Sequence, residues 1–140
     1  MKLSVSEILD QASKLKDPAA RINHLRQNYS VALESILRGA FDKRVVWQLP
    51  PGEPPYKVND LVDQQHVLYG ECRKLYLFIE GGNPNLKQVR RESLFIELLE
   101  KVDPKDAKLL IAIKDKQLPY PNITEDLIRQ GFPGILQEVN

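Results

Sequence analysis

Apolar residues recur at three- and four-residue intervals through most of the chain, and the polar breaks between these stretches carry helix-starting residues. Ser4 and Glu7 have the spacing of a capping box, and Val5, Ile8, Leu9, Ala12 and Leu15 follow as one helical face. Asp17-Pro18 is a second start, because Asp caps and Pro fits the first helical position, where its missing N–H is not needed. Ile22 and Leu25 mark the inner side of that helix. Ser30 opens a third helix, with Glu34 in its second turn and Val31, Leu33, Ile36, Leu37, Ala40 and Phe41 as its apolar surface. The short joint between the second and third helices predicts an antiparallel hairpin.

The period breaks at Arg44. Val45, Val46 and Trp47 are β-branched or aromatic, and Pro50, Pro51, Pro54 and Pro55 then exclude helix and sheet interior. Residues 44–58 therefore read as an extended proline-rich loop pinned by Trp47, Leu49 and Tyr56, with room for one short strand at Arg44–Gln48. A fourth helix is expected from Asp60 or Gln64 to Glu80, with Leu68, Cys72, Leu75, Tyr76 and Ile79 on one face and Gly81-Gly82 as its stop. Asn85 and Gln88 open a long fifth helix with an apolar side of Leu86, Val89, Ile96, Leu99 and Val102, widened by Leu94, Phe95 and Leu98. Asp103-Pro104 starts a sixth, carrying Ala107, Leu110, Ile111 and Ile113 and ending near Leu118-Pro119. Thr124 starts a short last helix, and Leu127, Ile128, Phe132, Ile135 and Leu136 dock the C-terminus. The fold class is all-α: a compact bundle of six or seven short helices in a single domain, residues 1–140, interrupted by the proline loop.

At 140 residues, with 42% hydrophobic and 28% charged positions, the chain is able to bury a core without disulfides or metals. The net charge of +1 gives no global basic field. The single cysteine, Cys72, excludes an internal disulfide and suits a reducing compartment. No apolar run approaches the roughly 20 residues that span a bilayer, and Met1 to Glu7 lacks a signal core. The expected location is the cytoplasm, with no membrane partner.

No catalytic constellation emerges. His66 and Cys72 are six residues apart, which does not aim both at one ion on one helix, and Asp63 with His66 reads as a solvated face. Cys72 falls on an apolar stripe, as a buried inert thiol does. Gly81-Gly82 lacks the Lys-Ser/Thr that completes a phosphate loop. The carboxylate pairs Asp60/Asp63 and Glu97/Glu100 have surface spacing. The reading is no enzyme, no metal and no cofactor. Two binding readings remain. Pro51-x-x-Pro54, with Trp47, Tyr56 and Lys57, has the character of a protein-binding loop. Lys87, Arg90, Arg91, Lys114 and Lys116 form the alternative, a nucleic-acid-binding set, although acids interleave with them and Lys114 and Lys116 also suit a helix C-terminus.

Three stretches resemble a family of uncharacterised small proteins of contractile-tailed marine phages, notably those of cyanobacteria. They are Trp47 to Lys57 (WQLPPGEPPYK), Arg90 to Glu100 (RRESLFIELLE) continuing through Asp106-Ala107-Lys108-Leu109-Leu110 and Lys114-Asp115-Lys116, and Phe132-Pro133-Gly134-Ile135-Leu136. The resemblance runs in order along nearly the whole chain. It implies a phage product acting in the host bacterial cytoplasm or carried in the virion, and it brings no catalytic residue with it. The expected function is that of a non-enzymatic accessory protein that binds another protein, host or phage. Nucleic-acid binding and a virion or assembly role are the alternatives. The apolar breadth of Leu94–Leu99 fits either a central core helix or a homo-oligomer seam.

Overall fold

The computed structural model describes residues 2–137, which form seven α-helices and one 3₁₀ segment. Local sequence sets most of the helix starts. In α1 (Val5–Ser13) the Ser4 hydroxyl accepts the Glu7 N–H at 3.1 Å, and the Glu7 carboxylate accepts the Ser4 N–H at 3.0 Å. Asp17 caps α2 (Pro18–Gln27), Ser30 caps α3 (Val31–Phe41), Asp103 caps α6 (Pro104–Lys114) and Thr124 caps α7 (Glu125–Gly131), each by accepting a first-turn N–H. Such a cap contributes about 1 kcal/mol. The remaining helices are α4 (Val67–Glu71), which continues as the 3₁₀ segment Cys72–Phe78, and α5 (Gln88–Lys101).

α6 is the central element, with α1, α3 and α5 packed around it. Ala107, Leu109, Leu110, Ile111 and Ile113 of α6 are all buried, against Leu9 of α1, Leu33 and Ile36 of α3 and Leu99 of α5 in the same core. Phe78 meets Phe95 edge to face, with ring centroids 5.3 Å apart. Among the described residues no helix is long and apolar enough to cross a membrane.

The structure corrects the sequence reading at several joints. α2 packs chiefly on α1 and α7, so the predicted α2–α3 hairpin does not form. Ile22 of α2 lies so close to Gly131 that a Cβ there would stand 2.9 Å from it, and Arg26 donates to the Gly131 carbonyl at 2.8 Å. The fourth helix begins only at Val67. Asp63 takes a left-handed conformation (φ 58°), and the Asn59 amide is drawn to the Lys101 carbonyl at the end of α5. The change to 3₁₀ winding at Cys72 places every third residue on one face. Cys72, Leu75 and Phe78 therefore turn inward, and Tyr76 is left 52% exposed. Asn85 does not cap α5, whose N-cap is Lys87, and Val89 points out at 80% exposure. α6 stops at Lys114, short of Leu118. Lys116, at φ 59°, closes the helix end, with its N–H on the Ile113 carbonyl and the Gln117 N–H on that of Ala112. The short strand at Arg44–Gln48 reduces to one antiparallel bridge, Trp47 to Ile79.

A candidate binding groove beside the proline loop

A loop with four prolines offers few N–H groups, so its position depends on what its carbonyls and remaining amides find. Here nearly every anchor comes from α3, α5 or α6. Arg44 grips the buried Asp42 carboxylate with its own N–H at 2.9 Å and its guanidinium at 2.7 and 3.1 Å. The Arg44 bonds hold the Asp42 carboxyl below its usual pKa against the effect of burial. The Trp47 indole N–H donates to the Gly39 carbonyl at 3.0 Å, and its ring lies 2.7 Å from where a Cβ of Gly39 would be. Glycine at position 39 is what allows the ring to close on α3. Gln48 donates its N–H to Phe78 at 2.8 Å and accepts the Gln88 side-chain amide at 2.9 Å. The Pro50 carbonyl accepts the Lys114 ammonium at 2.9 Å, the Gly52 N–H donates to Asp115 at 3.0 Å, and the Lys57 N–H donates to Glu100 at 2.7 Å.

The loop is thereby laid alongside α5 and α6. Between them lies a groove of about 400 Å³, with Leu49, Phe95 and Ile96 as apolar lining and Pro51, Pro54 and Pro55 along the loop side. Glu53, Glu92 and Lys114 are its charged groups. Glu53 pairs with Lys108, and this contact, with a smaller contribution from Tyr56, raises the Lys108 pKa. Lys114 is buried and satisfied by Pro50 and Asp115. Glu92 forms no ion pair or side-chain hydrogen bond among the described residues, which leaves one uncompensated negative charge at the groove.

The five loop residues singled out in the sequence divide by orientation. Trp47 and Tyr56 are half-buried and packed against the core, and the Tyr56 hydroxyl is buried without a hydrogen-bond partner of ordinary geometry. Pro51 and Lys57 are exposed and Pro54 is half-buried. The two aromatics position the loop, and the prolines form its outward surface. The five basic residues do not form one set. The Arg91 guanidinium is buried and donates to the carbonyls of Leu77, Asn83 and Leu86 and to the Gln88 side chain. Lys114 is internal, and Lys116 donates to the Asp42 carbonyl at 2.9 Å, its pKa lowered by desolvation. Lys87, Arg90 and Lys116 are exposed, with Arg90 3.8 Å from Glu97. Sequence reasoning missed Glu92, Phe95 and Ile96 as groove residues. It also missed the exposed Val58, which ends the loop, and Leu61 and Val62 just after it. Loop composition gave a signal for the prolines, but nothing local indicates which face of α5 they cover.

The fold and this site define an all-α protein whose outstanding surface is a proline loop fixed against two helices. The chain belongs to a family of unknown function, DUF6433, whose model matches residues 8–120. That span takes in the proline loop, α5 and α6 and ends before α7. No curated protein and no solved structure matches the chain.

Proposed function

We propose that the protein is a non-enzymatic accessory protein of a contractile-tailed phage and that it acts in the infected bacterial cytoplasm by binding another protein at this groove. The observation that carries the reading is the prefixed loop. A surface already ordered before binding loses little conformational entropy on association. The resemblance of Trp47–Lys57 and Arg90–Glu100 to phage sequences supports the setting. The lining chemistry supports the partner. Pro51, Pro54 and Pro55 present carbonyl acceptors and no N–H, Leu49 and Ile96 add apolar surface, and Glu92 adds a negative charge. The complement is a partner segment with an apolar side chain beside an arginine or lysine.

The test is capture from infected cells with wild type, Glu92→Lys and Ile96→Asn, each checked for an unchanged melting curve and each run with and without nuclease. A nuclease-resistant partner depleted at least about tenfold with either variant, a change of about 1.4 kcal/mol, is the expected result. Equal capture by all three proteins overturns the groove assignment. Capture lost on nuclease treatment supports the nucleic-acid reading, for which Lys87, Arg90 and Lys116 are the exposed residues. Detection of the protein in purified particles by mass spectrometry would support the virion reading.

A further inference from the structure

The α1–α6 junction contains a buried carboxylate with no charge partner. Asp106, in the first turn of α6, is 0% exposed. Its Oδ1 accepts the Ser6 N–H at 3.0 Å, so it caps the start of α1 from a position 100 residues away in sequence. Among the described residues its Oδ2 has no hydrogen-bond partner of ordinary geometry, and the Ser6 hydroxyl, beside the Ser6 N–H, favours the charged form less than burial disfavours it. The groups around it make matters worse for a negative charge. Glu7 faces it from α1 and Asp103 from the start of α6, and both disfavour ionisation. Tyr69 of α4 and Tyr120 after α6 flank the junction as neutral hydroxyls, donating to the Leu3 carbonyl at 2.6 Å and the Ser6 carbonyl at 3.2 Å. Three cations lie around the junction: Lys2 sits over the Tyr69 ring, 3.7 Å from its centroid, Lys105 and Lys108 line the cavity beside Ser6 and Glu7, and among the described residues none forms an ion pair with Asp106. Both tyrosines are held above their ordinary pKa, chiefly by burial.

We infer that Asp106 is a proton-linked clasp, seating the start of α1 on α6 firmly when protonated and loosening that seat when ionised. An Oδ2–H is a neutral group, whereas an ionised Oδ2 is a desolvated charge facing two other carboxylates. Burial raises the Asp106 pKa from 3.8 to about 6. Because the folded value lies above the unfolded one, this stabilisation is complete below pH 3.8 and is lost as pH rises through 6. Neutral pH is therefore on the loosened side, and a mild acidification closes the junction.

The experiment compares wild type with Asp106→Asn, which keeps the acceptor for Ser6 and removes the charge. Hydrogen exchange at the Ser6–Leu9 amides, corrected for intrinsic rates and referenced to α3, is measured at pH 5 and pH 7.5. Wild type should exchange at least about tenfold faster in α1 at the higher pH, and the variant should show no such change. The same pH dependence in both proteins, or in neither, overturns the clasp. Should the variant fail to fold, the carboxyl carbon shift of Asp106 in wild type decides the matter. A titration midpoint near 6 supports the clasp, and one near 4 rejects it.

Discussion

The loop side of α5 and the α1–α6 junction each bury an ionisable side chain that looks like surface in the sequence, but they satisfy it in opposite ways. Arg91 is surrounded by acceptors, three backbone carbonyls and the Gln88 side chain, so its charge is spread over several hydrogen bonds. Asp106 draws its donors from Ser6 alone, and among the described residues its second oxygen has no partner of ordinary geometry. A guanidinium cannot lose its proton to escape burial and must be fully bonded, whereas a carboxyl is able to titrate. The first region is therefore rigid at any ordinary pH, and the second depends on it. The firm region carries the binding surface, and the titrating one lies where α1 begins.

Four changes probe this contrast. Arg91→Ala should have the largest effect, a loss of about 3–5 kcal/mol, because it removes a buried side chain together with its bonds to the Leu77, Asn83 and Leu86 carbonyls and to Gln88. Urea unfolding measures it. A loss under about 1 kcal/mol would mean that water replaces the guanidinium and that the region is not firm. Asp106→Asn should raise stability relative to wild type by about 3 kcal/mol at pH 8, the value of a shift of roughly two pKa units, and by almost nothing at pH 4. Parallel urea curves across that range, with a constant offset between the two proteins, would remove the distinction drawn here. Gly39→Ala comes next. Its new methyl meets the Trp47 ring, and the strain outweighs the gain in helix propensity to leave a net loss of about 1 kcal/mol. Trp47 fluorescence should shift as the ring moves, and an unchanged spectrum with higher stability would show that the contact is slack. Tyr56→Phe should be the mildest, neutral or stabilising within about 1 kcal/mol, since its hydroxyl is buried without a partner. A clear loss in thermal melting would reveal a bond that the hydroxyl makes.

Sequence signals were reliable where the physics is local. Ser4 with Glu7, Asp17-Pro18, Ser30, Asp103-Pro104 and Thr124 each mark an observed helix start, because a cap needs only its own first turn. The failures lie where a distant partner decides. Asn59 holds back the fourth helix through the end of α5, and Gln88 leaves its expected capping role to bind Gln48 and Arg91. Arg91 and Lys114 read as surface cations because the carbonyls that bury them belong to other segments. Asp106 did leave a trace. It is an acid in helical phase with Leu109, Leu110 and Ile113, an inward position that its place in a first turn disguises as ordinary dipole chemistry. At the candidate site the prolines were legible and the groove was not, since Glu92 and Ile96 acquire their meaning only from the loop laid beside them.

The central claim is that the proline loop is a fixed surface before any partner arrives, and amide hydrogen exchange of the free protein at Gly52 and Lys57 tests it most directly. Both N–H groups sit on the exposed loop, yet donate to Asp115 and Glu100. The account predicts exchange slowed at least about tenfold below the rate of an unstructured chain at both positions, and slowed equally at pH 5 and pH 7.5 after correction. Exchange at the unstructured rate would contradict it, because the groove would then have to form on binding.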